Sequence, residues 1–302
     1  MKEEINYYFD IGSSTIKMYE YSDKLEMIEE KSIMLKKDYK EGRISQNNIE
    51  EFLNFIDCVK ERYKLDNSNT NIYATGIWRT IDDKQLQKIE NEFKNRDLQF
   101  NVISHEQENE YLQKAMKGNY NNKRVIIVNM GGKTTELVVF ANNEVENKVN
   151  LDIGVADVIT TFPTINDNPT DIKKSEIIDY IFEKMGDINI DFNCEIGMHT
   201  GGELRFQKLV KYNLKENTFF NDGIHELFVT YEDFVKKNEE LLYDISLDEL
   251  YQLMPKNPKW MDGAKAGCIL GEAIFKKANV KYVIPSDLNL IHGVVKNMES
   301  EI

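Results

Sequence analysis

One arrangement occurs twice in this chain: two short β-prone stretches joined by a turn that contains glycine and hydroxyl side chains. The first copy spans 5–21 around Gly12 to Ser14, and the second spans 124–141 around Gly131-Gly132. The stretches are rich in Tyr, Phe, Ile and Val, which favour strands, and glycine accepts the backbone angles of tight turns. The recurrence predicts a duplicated fold with two similar halves around a cleft.

Strand-like and helix-like segments alternate along the rest of the chain, which is typical of an α/β fold. Ser45 is a suitable N-cap for a helix whose apolar residues follow at helical spacing. Further helices are expected at 83–95, 106–117, 171–186, 203–213, 231–255 and 260–278, and further strands at 26–35, 72–75, 100–103, 195–199 and 281–285.

A polar linker at 118–123 separates the two halves. We therefore expect an N-terminal domain at 1–119 and a C-terminal domain at 120–287. The terminal segment 288–302 is a candidate to complete the first domain.

The charge of the chain limits its ligands. It has 38 Lys and Arg against 52 Asp and Glu, a net charge of −14 over 302 residues. Long polyanions need a positive protein face that releases their counterions, so the charge argues against a DNA-binding protein. Small anionic ligands need only a local pocket and remain compatible with this charge.

Export and membrane insertion have no support in the sequence. The N-terminus carries acidic residues where a signal peptide has basic ones, and the apolar run at 125–128 is far below the ~20 residues of a membrane helix. Cys58, Cys194 and Cys268 are scattered and odd in number, so we expect free thiols in a cytoplasmic protein. The sequence is compatible with a homodimer.

The first glycine turn has the chemistry of a phosphate-binding loop. Backbone N–H groups and the hydroxyls of Ser13 and Ser14 can face a phosphate, while Asp10 at the end of the strand can hold Mg²⁺. The same residues are common in plain hairpin turns, so this turn alone leaves both interpretations open.

Two further turns strengthen the phosphate interpretation. Asn129 to Glu136 repeats the strand and glycine turn, with Lys133 and Thr134 inside it. Two such hairpins facing each other would clamp a phosphate chain and its metal. Gly201-Gly202 stand where a strand gives way to a helix, whose N-terminal amides favour an anion.

Eight segments follow one another in the order and spacing of a known family: FDIGSSTIK at 9–17, EGRIS at 41–45, ATGIWRT at 74–80, VISHEQEN at 102–109, VNMGGKTTELV at 128–138, HTGG at 199–202, DGAKAG at 262–267 and PSDLNLIHG at 285–293. On these segments the chain resembles the exopolyphosphatase and guanosine pentaphosphate phosphatase (Ppx/GppA) family. The resemblance implies two actin-like, ribonuclease H-like lobes of the actin, sugar kinase and Hsp70 superfold. The length is similar to that of members without the additional C-terminal helical domains.

The resemblance also implies roles for individual residues. Glu108 falls on the general base that activates water, Arg79 on an arginine that contacts phosphate, and Asp10 and Glu136 on positions that hold Mg²⁺. The phosphate cradle would be completed by backbone amides of Gly12, Gly131, Gly132, Gly201 and Gly202.

Several residues depart from the family pattern. Asn129 stands where the family has aspartate; its carbonyl oxygen can still reach Mg²⁺, but one fewer carboxylate weakens the site. Lys133 replaces a glycine and either adds a charge for phosphate or narrows the site. His105 also replaces a glycine. The other departures are Ser14, Lys17, Trp260, Ile291 and His292.

The spacing of the four histidines gives no local support to a zinc site. No two of them stand at i and i+4, since they are His105, His199, His225 and His292. His105, beside the base, and His199, beside a glycine loop, are candidates to line the cleft.

Two functions are consistent with these observations. The first is a Mg²⁺-dependent phosphohydrolase that removes the terminal phosphate of polyphosphate or of a guanine nucleotide such as guanosine pentaphosphate. The second is a non-hydrolytic protein that binds a nucleotide or phosphate compound as a sensor or regulatory partner. The hypothesis of a kinase or ATPase of the same superfold is weaker. The activators of acyl-CoA dehydratases have a similar loop, but they hold an iron–sulfur cluster through paired cysteines. Cys58, Cys194 and Cys268 show no such pairing.

Overall fold

The computed structural model describes residues 5–36, 38–186 and 193–300. The chain forms two units. The first comprises the residues up to Ala115 together with the C-terminal segment from Leu290, and the second runs from Met116 to Asn289. Each unit has a mixed β-sheet with helices, so the expected α/β class is confirmed.

The sheet of the first unit consists of β1 (Asn6–Ile11), β2 (Thr15–Tyr21), β3 (Leu25–Ser32), β4 (Thr70–Ala74) and β5 (Asn101–Val102). Its order is β3-β2-β1-β4-β5. The first three strands form an antiparallel meander, whereas β4 and β5 run parallel to β1. Parallel strands end at the same edge of a sheet, so the segments that follow β1, β4 and β5 begin there together.

The helices of this part of the chain are α1 (Gln46–Tyr63), the 3₁₀ helix Gly76–Arg79, α2 (Asp83–Asn95) and α3 (His105–Met116). The predicted N-cap is confirmed, since the hydroxyl of Ser45 accepts the N–H of Asn48. Asp82 caps α2 in the same way through the N–H of Gln85. These helix starts follow from local sequence, because the capping side chain stands next to the amides it satisfies.

The sheet of the second unit consists of β6 (Val125–Met130), β7 (Thr135–Ala141), β8 (Glu144–Leu151), β9 (Ile196–Thr200), β10 (Lys215–Glu216), β11 (Leu227–Thr230) and β12 (Tyr282–Pro285). Its order is β10-β11-β12-β9-β6-β7-β8. The run β8-β7-β6-β9-β12 has the same order and directions as β3-β2-β1-β4-β5. The duplication expected from the glycine turns therefore extends to five strands of each sheet, and β10 and β11 are additional strands of the second.

The helices of the second unit are α4 (Val155–Thr161), α5 (Lys174–Met185), α6 (Glu203–Leu209), α7 (Tyr231–Tyr243), α8 (Leu247–Leu253), the 3₁₀ helix Pro258–Gly263 and α9 (Ala264–Lys277). The single helix predicted at 231–255 is wrong. Ser246 starts a new helix there, in a capping box with Glu249. The helix predicted at 203–213 is shorter than expected, and the sequence analysis missed β8, β10, β11 and α4.

The final helix, α10 (Leu290–Ser300), returns the chain to the first unit. It packs closely on α3: a Cβ atom on Gly293 would lie 1.7 Å from the carbonyl oxygen of Tyr111. Ile291 is fully buried beside Tyr8 of β1. Among the described residues, no helix is long and apolar enough to span a membrane.

Candidate functional site

The two glycine turns have the same backbone structure. The N–H of Gly12 donates to the carbonyl of Thr15 at 3.0 Å, and the N–H of Gly131 donates to that of Thr134 at 2.8 Å. In each turn, a hydrogen bond therefore joins the glycine amide to the carbonyl three residues later. The amides of Gly12 and Gly131, which were expected to face phosphate, are therefore engaged within their own turns.

Ser13 joins the first turn to the segment that carries Arg79. Its hydroxyl oxygen accepts the N–H of Ile77 at 2.9 Å. Gly76 precedes this contact with a φ of +63°, and a Cβ atom there would lie 2.3 Å from the Ser13 oxygen. Only glycine fits both the backbone conformation and the space. The first turn and the 3₁₀ helix of Arg79 are thus fixed to each other.

Arg79 and Glu108 form an ion pair at the edge where the parallel strands end. Arg79 Nη1 lies 2.7 Å from Glu108 Oε2 and 3.3 Å from the carbonyl oxygen of Ile103, while Nη2 lies 3.4 Å from His105 Nδ1. The Arg79 and Glu108 side chains are 23% and 21% exposed. The structure therefore brings together the predicted phosphate-binding arginine, the predicted base and His105.

Asp10 lies at the end of β1, opposite Lys17 of β2. Burial raises the pKa of Asp10 to about 6, the charge of Lys17 opposes this rise, and the negative charge of Glu108 adds to it. Asp10 and Glu108 therefore interact electrostatically within the first unit. The first turn, Asp10 and the Arg79–Glu108 pair are therefore the candidate site of the first unit.

The corresponding position in the second unit has different chemistry. Asn129 lies opposite Glu136, as Asp10 lies opposite Lys17. Asn129 Nδ2 donates to Glu136 Oε2 and the Thr134 hydroxyl donates to Oε1, both at 2.9 Å. A carboxylate accepts hydrogen bonds and cannot donate them, so Asn129 must turn its amide nitrogen toward Glu136. Both oxygens of this buried carboxylate thus have a donor.

Lys133, in the second turn, forms an ion pair with a residue of α4. Its Nζ lies 2.8 Å from Asp157 Oδ1. The N–H of Ala156 donates to the carbonyl of Gly132 at 2.9 Å. A Cβ atom on Gly154 would lie 2.4 Å from the backbone nitrogen of Lys133. The turn and the start of α4 are therefore in direct backbone contact.

The sequence analysis missed Gly154 and Asp157. The available signal was a glycine followed three residues later by an acidic residue, a spacing typical of a helix N-terminus. The structure has this arrangement, since Asp157 Oδ2 accepts the N–H of Gly154 at 3.0 Å.

The third loop follows β9 and lies beside the second turn. Gly201 and Gly202 have φ values of +103° and +113°, a region that favours glycine. A Cβ atom on Gly201 would lie 3.6 Å from Asn129 Oδ1. The N–H of Gly202 donates to the carbonyl of Ser286 at 3.4 Å. The Gly202 amide, which was expected to face phosphate, is therefore bonded to the backbone of Ser286 instead.

His199 lies in the core of the second unit, with only 1% of its surface exposed. Its ring packs edge-on against Phe234 and Phe275, and Gly271 lies against it. Burial lowers the pKa of His199 to about 3, so the ring is neutral at physiological pH. Of the two histidines predicted to line a cleft, His105 has a partly exposed ring next to charged groups, whereas His199 is part of a core.

The predicted metal ligands differ in how well they suit Mg²⁺. Among the residues that the structure describes, no group of three or more His, Cys, Asp or Glu side chains is arranged around a common point. Asp10 suits Mg²⁺, which is commonly held by one or two carboxylates together with substrate phosphates. Glu136 suits it less well as it stands, because its two oxygens already accept hydrogen bonds from Asn129 Nδ2 and the Thr134 hydroxyl. Asn129 directs its amide nitrogen, and not its oxygen, toward this carboxylate.

The comparison with protein families gives a match over nearly the whole chain. The model of the Ppx/GppA phosphatase family matches residues 25–301. The chain belongs to the Ppx/GppA phosphatase family. The family membership expected from the motifs is thereby confirmed. None of the curated proteins compared with the chain matches it significantly.

Solved structures of Ppx/GppA proteins are similar over their full length. The Ppx/GppA protein of Aquifex aeolicus is 20% identical, with 98% of each chain covered and a TM-score of 0.71. An exopolyphosphatase from Cytophaga hutchinsonii is 14% identical, with 99% of this chain and 98% of that chain covered and a TM-score of 0.72. At these identities the likeness shows the fold alone, an α/β fold with two mixed sheets.

Proposed function

We propose that this Ppx/GppA protein is a phosphohydrolase that removes the terminal phosphate of a phosphoanhydride, with Glu108 as the general base. The observation that carries the proposal is the contact of Arg79 with Glu108 next to Asp10. These three groups supply the functions that phosphoryl transfer to water requires: a base, a cation for phosphate oxygens and a carboxylate for a metal.

Glu108 is well placed to accept a proton from water. Its side chain is 21% exposed, so a water molecule can reach it, and Arg79 holds it in a fixed orientation. A general base must lie within hydrogen-bond reach of the proton it removes, and such positioning contributes about 10²–10⁴-fold to rate.

Arg79 is suited to bind the phosphate that is attacked. Its guanidinium has five N–H donors in a plane, and the contacts with Glu108, Ile103 and His105 use only part of them. Arginine meets phosphate oxygens through two parallel hydrogen bonds. A phosphate bound to Arg79 would share the guanidinium with Glu108 and weaken its hold on the base.

We propose Mg²⁺ as the cofactor, with Asp10 as its protein ligand in the first unit. When bound, Mg²⁺ neutralises negative charge on phosphate oxygens. Asp10 is ionised and able to bind a cation above a pH of about 6, because its pKa is raised to about 6 by burial. Glu136 and Asn129 stay the ligands expected from the family, and they would have to exchange their mutual hydrogen bond for the ion.

The proposed substrates are polyphosphate and guanine nucleotides such as guanosine pentaphosphate. Support for polyphosphate comes from the Cytophaga hutchinsonii relative, which is named an exopolyphosphatase. The net charge of −14 favours short or nucleotide substrates, because a long polyphosphate needs an extended basic surface.

Phosphate release in the presence of Mg²⁺ tests this proposal, with polyphosphate, guanosine pentaphosphate and ATP as substrates. We expect turnover of at least one, and a loss of about 10²–10⁴-fold in Glu108→Ala. Glu106→Ala is the matched control, because Glu106 is an exposed residue on the same helix. Activity that survives in Glu108→Ala would refute the assignment of the base.

The second candidate is a binding protein without hydrolytic activity, and the second turn supplies the observation in its favour. Asn129 donates a hydrogen bond to the Glu136 carboxylate, and Asp157 forms an ion pair with Lys133. Both charged side chains of this turn therefore already have partners within the protein. If a nucleotide raises the melting temperature while no substrate releases phosphate, the binding protein is the correct function and the hydrolase is not.

A further inference from the structure

Three buried side chains of the second unit form a hydrogen-bonded series that no predicted site includes. His225 Nδ1 lies 2.6 Å from Asp222 Oδ2, and its Nε2 lies 2.8 Å from the Ser286 hydroxyl oxygen. His225 is 6% exposed and Ser286 is 1% exposed. The series connects the segment before β11 to the residues that follow β12.

The residue types are those of a serine hydrolase triad, but the arrangement has a different use. A catalytic serine must be reached by substrate. Ser286 is buried, and its hydroxyl oxygen also accepts the N–H of Leu288 at 3.2 Å. This leaves the hydroxyl hydrogen to point at His225. The series therefore fixes the position of Ser286.

The orientation of the histidine follows from its partner. Burial alone would raise the pKa of Asp222, but hydrogen bonds from the side chain and backbone of His225 lower it to about 2. The ionised carboxylate can only accept, so His225 Nδ1 carries a proton. Nε2 then faces the Ser286 hydroxyl, and each end of the ring has a defined partner.

The backbone of Ser286 is bonded to the third glycine loop on both sides. Its N–H donates to the carbonyl of His199 at 2.7 Å, and its carbonyl accepts the amides of Gly202 and Glu203 at 3.4 and 3.2 Å. The next residue, Asp287, accepts the N–H of Arg205 at 3.0 Å through its side chain. The segment after β12 is thus hydrogen-bonded to the residues on both sides of the Gly201–Gly202 loop.

We propose that His225 is a positioning residue of the Gly201–Gly202 loop, one of the predicted phosphate-binding loops, and that it acts through Ser286. Both glycines are in the left-handed region, where glycine is nearly unrestrained, so the loop takes its shape from its partners. The importance of the loop for turnover rests on the proposed function. The structural link from His225 to the loop does not.

Two substitutions of His225 separate its two contacts. His225→Asn places an amide near the original Nδ1 and keeps the contact with Asp222, whereas His225→Gln reaches as far as Nε2 and keeps the contact with Ser286. Since a small displacement of a substrate-binding group is costly, we expect kcat/KM to fall about 10- to 100-fold in His225→Asn and Ser286→Ala, and to stay within about threefold in His225→Gln. Ile181→Val, in the core of the same unit, controls for a general loss of stability.

Amide NMR spectra give a readout that does not need activity. We expect the Gly202 and Glu203 resonances to shift in His225→Asn and Ser286→Ala, and to stay unchanged in His225→Gln and Ile181→Val. Unchanged resonances in His225→Asn would overturn the proposal, as would equal effects of Asn and Gln at this position. If the wild type turns over no substrate but these shifts appear, the proposed function fails and the link from His225 to the loop stands.

Discussion

Arg79 Nη1 lies 2.7 Å from Glu108 Oε2, so the residue proposed to bind phosphate holds the residue proposed to activate water. Hydrogen bonds between charged groups contribute about 1.5–3 kcal/mol each, enough to fix the carboxylate while the site is empty. In the proposed function, a substrate phosphate would compete for the same guanidinium. Substrate binding would therefore loosen the contact that fixes the proposed base.

Replacing Arg79 by lysine tests whether the planar guanidinium is required. Lysine keeps the positive charge but cannot contact Glu108 and a phosphate in the same plane. We expect kcat/KM of Arg79→Lys to fall about tenfold or more, because at least one charged hydrogen bond is lost. Steady-state kinetics of phosphate release from the substrate that the wild type turns over measures kcat/KM of both proteins. Arg43→Lys, at an exposed arginine paired with Asp82, is the control, and equal effects of both variants would contradict the role of Arg79.

The stability of the protein should depend on pH through Asp10. Burial raises the pKa of this carboxyl from 3.8 to about 6 in the folded protein. Between these values the folded state retains a proton that the unfolded state has lost, so the free energy of unfolding falls as pH rises through this range. The destabilisation is complete above a pH of about 6 and absent below about 4.

Asp10→Asn removes this titration. We expect its stability relative to wild type to rise by about 1–3 kcal/mol between pH 4 and pH 7, measured by urea denaturation. Asp83→Asn, on the exposed part of α2, is the control. A constant difference between Asp10→Asn and wild type over this range would show that Asp10 has an ordinary pKa.

Asn129→Asp should create a dependence on divalent metal. The substitution replaces an N–H donor by a second carboxylate next to Glu136, and two adjacent carboxylates repel each other without a cation. We expect a lower melting temperature than wild type in EDTA, and a larger rise on addition of Mg²⁺. Combining it with Glu136→Gln should abolish that gain. Equal responses of Asn129→Asp and wild type to Mg²⁺ would count against a metal at this position.

Gly293 sets the distance between α10 and α3. A Cβ atom there would lie 1.7 Å from the carbonyl oxygen of Tyr111, one helical turn after Glu108. We expect Gly293→Ala to destabilise the protein by about 1–3 kcal/mol or more and to lower activity through displacement of α3. Gly118→Ala is the control, since its Cβ would be 3.5 Å from the nearest atoms. Thermal unfolding that is equal in the two variants would contradict the packing argument.

Most of the secondary structure could be predicted from local signals. Strands β1, β2, β6 and β7 and the N-cap at Ser45 follow from residue types and spacing over a few positions. The break between α7 and α8 was missed because apolar residues continue across it, although the Ser246 and Glu249 capping box was visible. β8 was missed because five of its eight residues are charged or polar.

The amino-acid sequence determined the repeated strand–turn–strand unit, the family and the identities of Asp10, Arg79 and Glu108, because these depend on residue type and order. The tertiary structure decided which of them touch. Arg79 and Glu108 are 29 positions apart and meet because β1, β4 and β5 are parallel and end at one edge. The same reason brings Ser286, after β12, to the Gly202 loop after β9. Glu136 meets Asn129 for a different reason, because β6 and β7 are antiparallel and the two residues lie opposite each other.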